Sequence, residues 1–217
     1  MAMEKVVFAT ADGHRLEGRL VVPEQPVGGA VLCHAHPVYG GSMSNAPIPA
    51  MQRALEKAGW ASLRFNFRGV RLSEGIYAGG VGEVKDTRAA LDHMASVVLG
   101  TPLAVAGWSF GSLVALHAAV ADERVESYVA VAPPISTGPR MDLPTNPTPE
   151  RLAGWRARVL AICGTRDQFC KPKDLERWAR NLSPTAQVKI FEGADHYFYG
   201  VIDQLGEAVA EFIARDG

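Results

Sequence analysis

Cysteine is scarce in this 217-residue chain, with three residues at positions 33, 163 and 170, an odd number without metal-type spacing. That pattern argues against a disulfide framework or a zinc site and predicts free thiols in a reducing compartment. An excess of charge of either sign is missing too. Lys and Arg number 22 against 23 Asp and Glu, and the formal net charge is −1. With no basic cluster, neither nucleic acid nor an anionic membrane surface is expected as a partner. No apolar run approaches the roughly 18 residues of a membrane helix. Met1–Lys5 lacks the basic head and apolar stretch of a signal peptide, which predicts a cytoplasmic location. No internal repeat and no second domain can be read. What is present, 47% hydrophobic and 21% charged residues, describes a globular chain that one core can serve. The expectation is a single domain over 1–217, monomer or homodimer.

In chain order, residues 5–9 and 15–22 alternate apolar and polar around Ala11-Asp12-Gly13-His14, an antiparallel hairpin with a solvated His14 at its turn. Ala30–Cys33 is a continuous apolar run, as in a strand covered on both faces. Residues 47–58 carry Met51, Leu55 and Ala58 at helical spacing and stop at Gly59. Trp60–Phe67 reads as a strand. A helix follows with Val84, Thr87, Leu91, Met94 and Val98 on one stripe, leaving His93 on the surface. Ser127–Ala132, Arg158–Cys163 and Gln187–Phe191 read as strands, and residues 171–181 as a helix. The last helix puts Val201, Leu205, Val209 and Ile213 on one face. Pro133–Trp155 has little periodicity and reads as a long functional loop or a minimal cap. A hairpin followed by alternating strand and helix predicts a mainly parallel sheet with helices on both faces.

Two stretches carry chemistry. Leu103–Trp108 is a buried-strand pattern that runs into Gly107-Trp108-Ser109-Phe110-Gly111 and then an Ala/Leu/Val-rich helix. A G-x-S-x-G turn between strand and helix lifts the serine hydroxyl above the sheet. Its glycines sit where the two elements come too close for a Cβ, and the helix N-terminus favours negative charge beside the serine. Ser109 is the candidate nucleophile. His117, two turns further along this helix, is expected to be a satisfied core histidine. The second stretch is His34-Ala35-His36-Pro37, at the end of the Ala30–Cys33 strand and followed by Gly40-Gly41. H-x-H can chelate, but only Cys33 stands nearby as a further ligand, so no metal is expected. His34 is expected to hold the loop by hydrogen bonds.

With these motifs in place, the chain resembles the α/β-hydrolases, and more narrowly a small bacterial group of predicted α/β-hydrolases related to dienelactone hydrolases. The residues that carry the resemblance are His34-Ala-His-Pro-Val-Tyr-Gly-Gly41, Leu63-Arg-Phe-Asn-Phe-Arg-Gly-Val70 with Ser73 and Gly75, Gly107–Gly111, Gly164-Thr-Arg-Asp167 and Ala194-Asp-His196. Arg71 stands where the group usually has glycine, and Ala35 where it has proline. Dienelactone hydrolases proper use cysteine; the elbow here holds serine, so that activity is not implied. The resemblance implies an α/β-hydrolase fold, a mainly parallel eight-stranded sheet with an N-terminal antiparallel hairpin and a minimal cap.

In that fold the triad follows the order Ser, Asp, His. Ser109 is then nucleophile, His196 base and Asp167 the supporting acid, with Asp142 and Asp195 as alternatives to Asp167. The backbone N–H groups of Phe110 and His36 would stabilise the oxyanion. His34, Tyr39, Trp108 and Tyr77 are candidate pocket residues. The expected activity is hydrolysis of a short-chain carboxylic ester through an acyl-serine, with no cofactor. An acyltransferase or thioesterase on the same triad, or a non-catalytic interaction protein on the same scaffold, are the alternatives.

Overall fold

The computed structural model describes residues 3–137 and 143–215. Eight strands form one sheet in the order β1-β2-β4-β3-β5-β6-β7-β8. They are β1 Glu4–Ala9, β2 Arg15–Val21, β3 Gly29–Cys33, β4 Ala61–Phe65, β5 Leu103–Trp108, β6 Val125–Val131, β7 Arg158–Gly164 and β8 Gln187–Phe191. The β1–β2 hairpin lies antiparallel and β2 pairs antiparallel with β4; every later pairing is parallel. The helices are α1 Pro47–Lys57, α2 Val81–Val97, α3 Phe110–Val120, the single turn α4 Pro149–Leu152, α5 Pro172–Leu182 and α6 Ile202–Ala214. Sheet and helices match the expected fold. The strand expected over Trp60–Phe67 is shorter, because Asn66 and Phe67 leave the sheet to start the next loop. Between β6 and β7, the described residues of 133–155 are loop apart from α4.

The apolar runs of β3 and β5 follow from burial on both faces. Val31, Cys33, Leu103 and Val105 pack with α2, α3 and α5, whereas Ala30, Leu32, Ala104 and Ala106 pack with α1 and α6. The chain therefore leaves β3 toward one face and β5 toward the other. These two strands are neighbours, with Cys33 in register opposite Gly107. In an open parallel sheet the loops diverging from such a switch point leave a crevice at the strand C-termini. His34–Ser42 and the Ser109 turn both start there.

A polar network holds the loop between β4 and α2. Arg68 is buried, with Nε and Nη2 on Asp86 Oδ1 at 3.0 and 2.7 Å, and both terminal nitrogens reach Asp12 at 3.1 Å. Burial works against the guanidinium charge, but the bonds to Asp86 and Asp12 more than restore it, and Arg68 holds the Asp12 carboxyl well below its ordinary range. Glu83 accepts from the Ala78 and Gly80 amides at 2.9 and 2.8 Å. Glu17 accepts from Asn66 Nδ2 and the Leu72 amide. These residues satisfy backbone groups that a loop packed on the core would otherwise leave unpaired. Arg71 has φ +57° in this loop, a conformation that favours glycine.

Two histidines differ from expectation. His93 is half-buried and stacks on Phe8 with centroids 5.4 Å apart, because α2 packs beside the hairpin. His117 is also half-buried rather than core, and its Nε2 lies 2.6 Å from the Thr145 carbonyl oxygen in the loop before α4. All three cysteines are buried and free, and burial pushes Cys33 up to about 12.

Candidate active site

Ser109 sits between β5 and α3 with φ +57° and ψ −126°. For a residue with a side chain this is a strained conformation, of order 1–3 kcal/mol, that persists only where its surroundings impose it. Its N–H donates to the Val131 carbonyl at 2.8 Å, and its own carbonyl accepts from the Ser112 amide and Oγ. A Cβ on Gly107 would run into the Gly111 carbonyl, and one on Gly111 into the carbonyls of Cys33 and His34. Both glycines are thus needed for close approach, as read from the sequence.

Loops at the ends of β7 and β8 bring two more side chains to this point. His196 Nε2 is 3.0 Å from Ser109 Oγ, and its Nδ1 is 2.9 Å from Asp167 Oδ2. The other carboxylate oxygen of Asp167 accepts from the amides of Phe169 and Cys170, which fixes the group. A carboxylate against Nδ1 keeps the proton there and leaves Nε2 to accept from the hydroxyl. Such a chain can move a proton from the serine to the imidazole while the carboxylate holds the ring in place. All three side chains are more than nine-tenths buried. Asp195 faces elsewhere: its Oδ1 accepts from the Tyr197 and Tyr199 amides. Asp142 lies outside the described residues.

A cavity of about 160 Å³ opens over Ser109 and His196 and is lined by Ala35, His36, Tyr39, Gly40, Gly41, Asn45, Trp108, Phe169 and Tyr197. Among the described residues, no lining side chain is an acid, a lysine or an arginine. The ring contacts at this cavity fall into two groups. The His36 ring lies 4.7 Å from Tyr39, 4.7 Å from Phe110 and 4.8 Å from Tyr77. The His196 ring lies 5.7 Å from Trp108, 4.8 Å from Phe169 and 5.7 Å from Tyr197. Tyr39 and Trp108 line the cavity as expected, and Trp108 Nε1 also donates to the His196 carbonyl at 3.0 Å.

Two candidate pocket residues belong behind the wall instead. Tyr77 backs the rings of His36 and Phe110. His34 is fully buried beneath the loop: its Nε2 accepts from the Phe67 amide at 3.0 Å and its Nδ1 faces the Ala35 carbonyl at 2.6 Å. Both nitrogens are taken by backbone, so His34 and His36 do not form a chelate. Among the described residues, no three His, Cys, Asp or Glu side chains gather where a metal ion could sit. Phe169, Tyr197 and Asn45 were missed from the sequence. The first two stand within two positions of Asp167 and His196, a proximity that could have flagged them.

Burial lowers the His34 pKa to about 3, against a smaller opposing effect of the Ala35 carbonyl. Below about pH 6.5 the unfolded chain protonates this imidazole and the folded chain does not. Unfolding free energy is therefore expected to fall as pH drops from about 6.5 toward 3, with this one group contributing up to about 1.4 kcal/mol per pH unit. The half-buried His93, also lowered by burial, adds to the slope with the same sign. Imidazole ¹⁵N NMR of the folded protein at pH 5 is expected to show His34 neutral, with its proton on Nδ1. An imidazolium signal there would contradict the assignment.

A sequence profile described as the alpha/beta hydrolase domain matches residues 28–213. An uncharacterised protein of Rickettsia prowazekii is 29% identical over 223 residues, covering 97% of this chain and 89% of that protein. Two solved structures superpose with a TM-score of 0.83. An alpha-beta serine hydrolase homologue from Coxiella burnetii is 27% identical and covers 98% of both chains. A protein of Xanthomonas campestris described as an α/β serine hydrolase without lid is 26% identical and covers 99% of this chain and 95% of that one. Among the described residues, no helix is long and apolar enough to cross a membrane.

Proposed function

The chain belongs to the alpha/beta hydrolase family, and from that premise we propose that it is a serine esterase for short acyl groups, working through Ser109, His196 and Asp167. The observation that carries this reading is the unbroken relay from Asp167 Oδ2 through His196 to Ser109 Oγ, at 2.9 and 3.0 Å. Ser109 Oγ attacks the ester carbonyl carbon as His196 Nε2 takes its proton. The tetrahedral oxyanion is met by the amides of Phe110 and His36, each such donor being worth about 3 kcal/mol. Phe110 opens α3, where the amides have no partner within the helix. The carbon–oxygen bond to the alcohol then breaks and His196 passes its proton to the departing oxygen. Water enters by the same base catalysis, releases the acid and restores Ser109.

The size of the cavity supports a short acyl group, and its neutral, largely aromatic lining supports an uncharged one. Tyr39 and Tyr197 at the cavity are exposed, and the Xanthomonas relative is described as lacking a lid; both fit a site that water reaches directly. Brief mixing with p-nitrophenyl butyrate, followed by acid quench and peptide mass analysis, is expected to trap a butyryl group on Ser109. Nitrophenol release with no adduct on the Ser109 peptide would rule out the covalent route.

A further inference from the structure

Beyond the chemistry of the triad, Tyr197 and Tyr199 form an exposed aromatic wall beside His196. Their rings stack at 5.6 Å with an interplanar angle of 21°, and they are 46% and 72% exposed. The loop is built to hold them so. Between them Phe198 is fully buried against Phe191, with φ +57°. A bulky residue in that conformation is an outlier, and here it turns the chain so that 197 and 199 face out while 198 anchors the loop. Asp195 Oδ1 accepts from the amides of both tyrosines, at 3.0 and 3.3 Å. Large apolar rings left in solvent beside a cavity mark a contact surface more often than chance. Tyr197 lines the cavity that holds Ser109.

The proton route says which part of a substrate meets this wall. His196 delivers its proton to the alcohol oxygen, so the departing alcohol leaves on the His196 side, whereas the oxyanion lies with Phe110 and His36. Tyr197 packs on His196 and Trp108, and Tyr39 and Tyr77 pack on His36. We propose, building on the esterase reading above, that Tyr197 and Tyr199 form a subsite for an aromatic ring on the alcohol side, so that the preferred substrates are short acyl esters of aryl or arylmethyl alcohols. A sugar ring would also stack, but it calls for hydrogen-bonding side chains around it. Among the described residues, apart from tyrosine hydroxyls, the catalytic pair, the His36 ring and the Trp108 indole N–H already given to the His196 carbonyl, the lining offers only the Asn45 amide. That amide is engaged by the Ser42 N–H at 2.6 Å and the Gly40 carbonyl at 3.5 Å.

Benzyl acetate and cyclohexylmethyl acetate test the proposal, since they match in carbon count and closely in leaving-group acidity, and only one is flat. The wild type is expected to favour the benzyl ester in kcat/KM by roughly three- to tenfold. Tyr197→Leu/Tyr199→Leu should bring the ratio to about one, and Tyr197→Phe/Tyr199→Phe should keep it. If the double leucine variant unfolds, Tyr199→Leu alone, at the more exposed ring, gives the same comparison. Equal rates on the two esters in the wild type, or a ratio undiminished by leucine, would overturn the subsite. A Tyr199-dependent preference for methyl 6-O-acetylglucopyranoside over benzyl acetate would overturn it in favour of a sugar. Ethyl acetate separates the two levels of the reading. Turnover of it that needs Ser109, with no ring preference, removes the subsite alone, and turnover that persists in Ser109→Ala removes the Ser109 mechanism on which the subsite rests.

Discussion

Ser109→Ala is expected to lower kcat for p-nitrophenyl acetate and butyrate by roughly 10⁴–10⁶-fold, with KM changed far less. In the proposed mechanism the hydroxyl is the group that forms the acyl bond. His196 and Asp167 without it retain their geometry but have no nucleophile to activate. The residual rate should still exceed that in water, because the proposed oxyanion donors, the amides of Phe110 and His36, are retained. Folding should change little, since alanine inherits the same backbone strain at φ +57°. Ser109→Gly separates strain from chemistry: it is expected to be just as inactive yet more stable than Ser109→Ala by about 1–3 kcal/mol, because glycine adopts that conformation freely. Steady-state kinetics with urea unfolding of both variants checks the pair of claims. Equal residual rates, at background, in wild type and Ser109→Ala would remove Ser109 as nucleophile and leave a binding protein on a hydrolase scaffold.

Arg68→Met is expected to be the most destabilising single change away from the site. Its guanidinium is buried, and so is the Asp86 carboxylate that it meets at 2.7 Å. Removing the cation leaves Asp86 desolvated without a counter-charge, which costs about 3–5 kcal/mol. For a chain of this size that lowers Tm by roughly 6–20 °C. Burial already pushes the Asp86 carboxyl up, with Arg68 opposing. In the variant that opposition is gone, so Asp86 takes a proton in the folded state above the pH at which it does when unfolded. More protons bound to the fold means that the deficit shrinks as pH falls from 8 toward 5. Arg68→Met/Asp86→Leu should be more stable than Arg68→Met alone, since the uncompensated charge is then removed. A double variant no better than the single one would show that lost packing, not stranded charge, is the cause. Activity is a second readout. The loop held by this network carries Tyr77 against His36 and Phe110, and its loosening is expected to lower kcat more than it raises KM.

Much of this was present in the sequence, for local reasons. Gly107-Trp108-Ser109-Phe110-Gly111 encodes its own strained turn, since its glycines meet backbone within the same few residues or on the neighbouring strand. The apolar runs of β3 and β5 announce burial on both faces. Asp167 and His196 could be picked out because strand ends in an alternating strand–helix chain all deliver their loops to one edge of the sheet. Side-chain direction over long sequence separations was not legible. His34 and His36 stand two residues apart, yet the Phe67 amide, 33 positions from His34, claims its ring and buries it. Tyr77 looked like a pocket aromatic and became a support, because Arg68, Asp86, Asp12 and Glu83 fix where its loop lies. Asp195 could be separated from Asp167 only by seeing which amides each carboxylate accepts. The sequence alone determined the order of elements, the elbow and the candidates for the proposed triad, all set by spacing and backbone sterics. Which rings face the substrate and which only hold the loops was decided by the tertiary structure, because burial and hydrogen-bond satisfaction depend on partners that the chain brings from dozens of residues away.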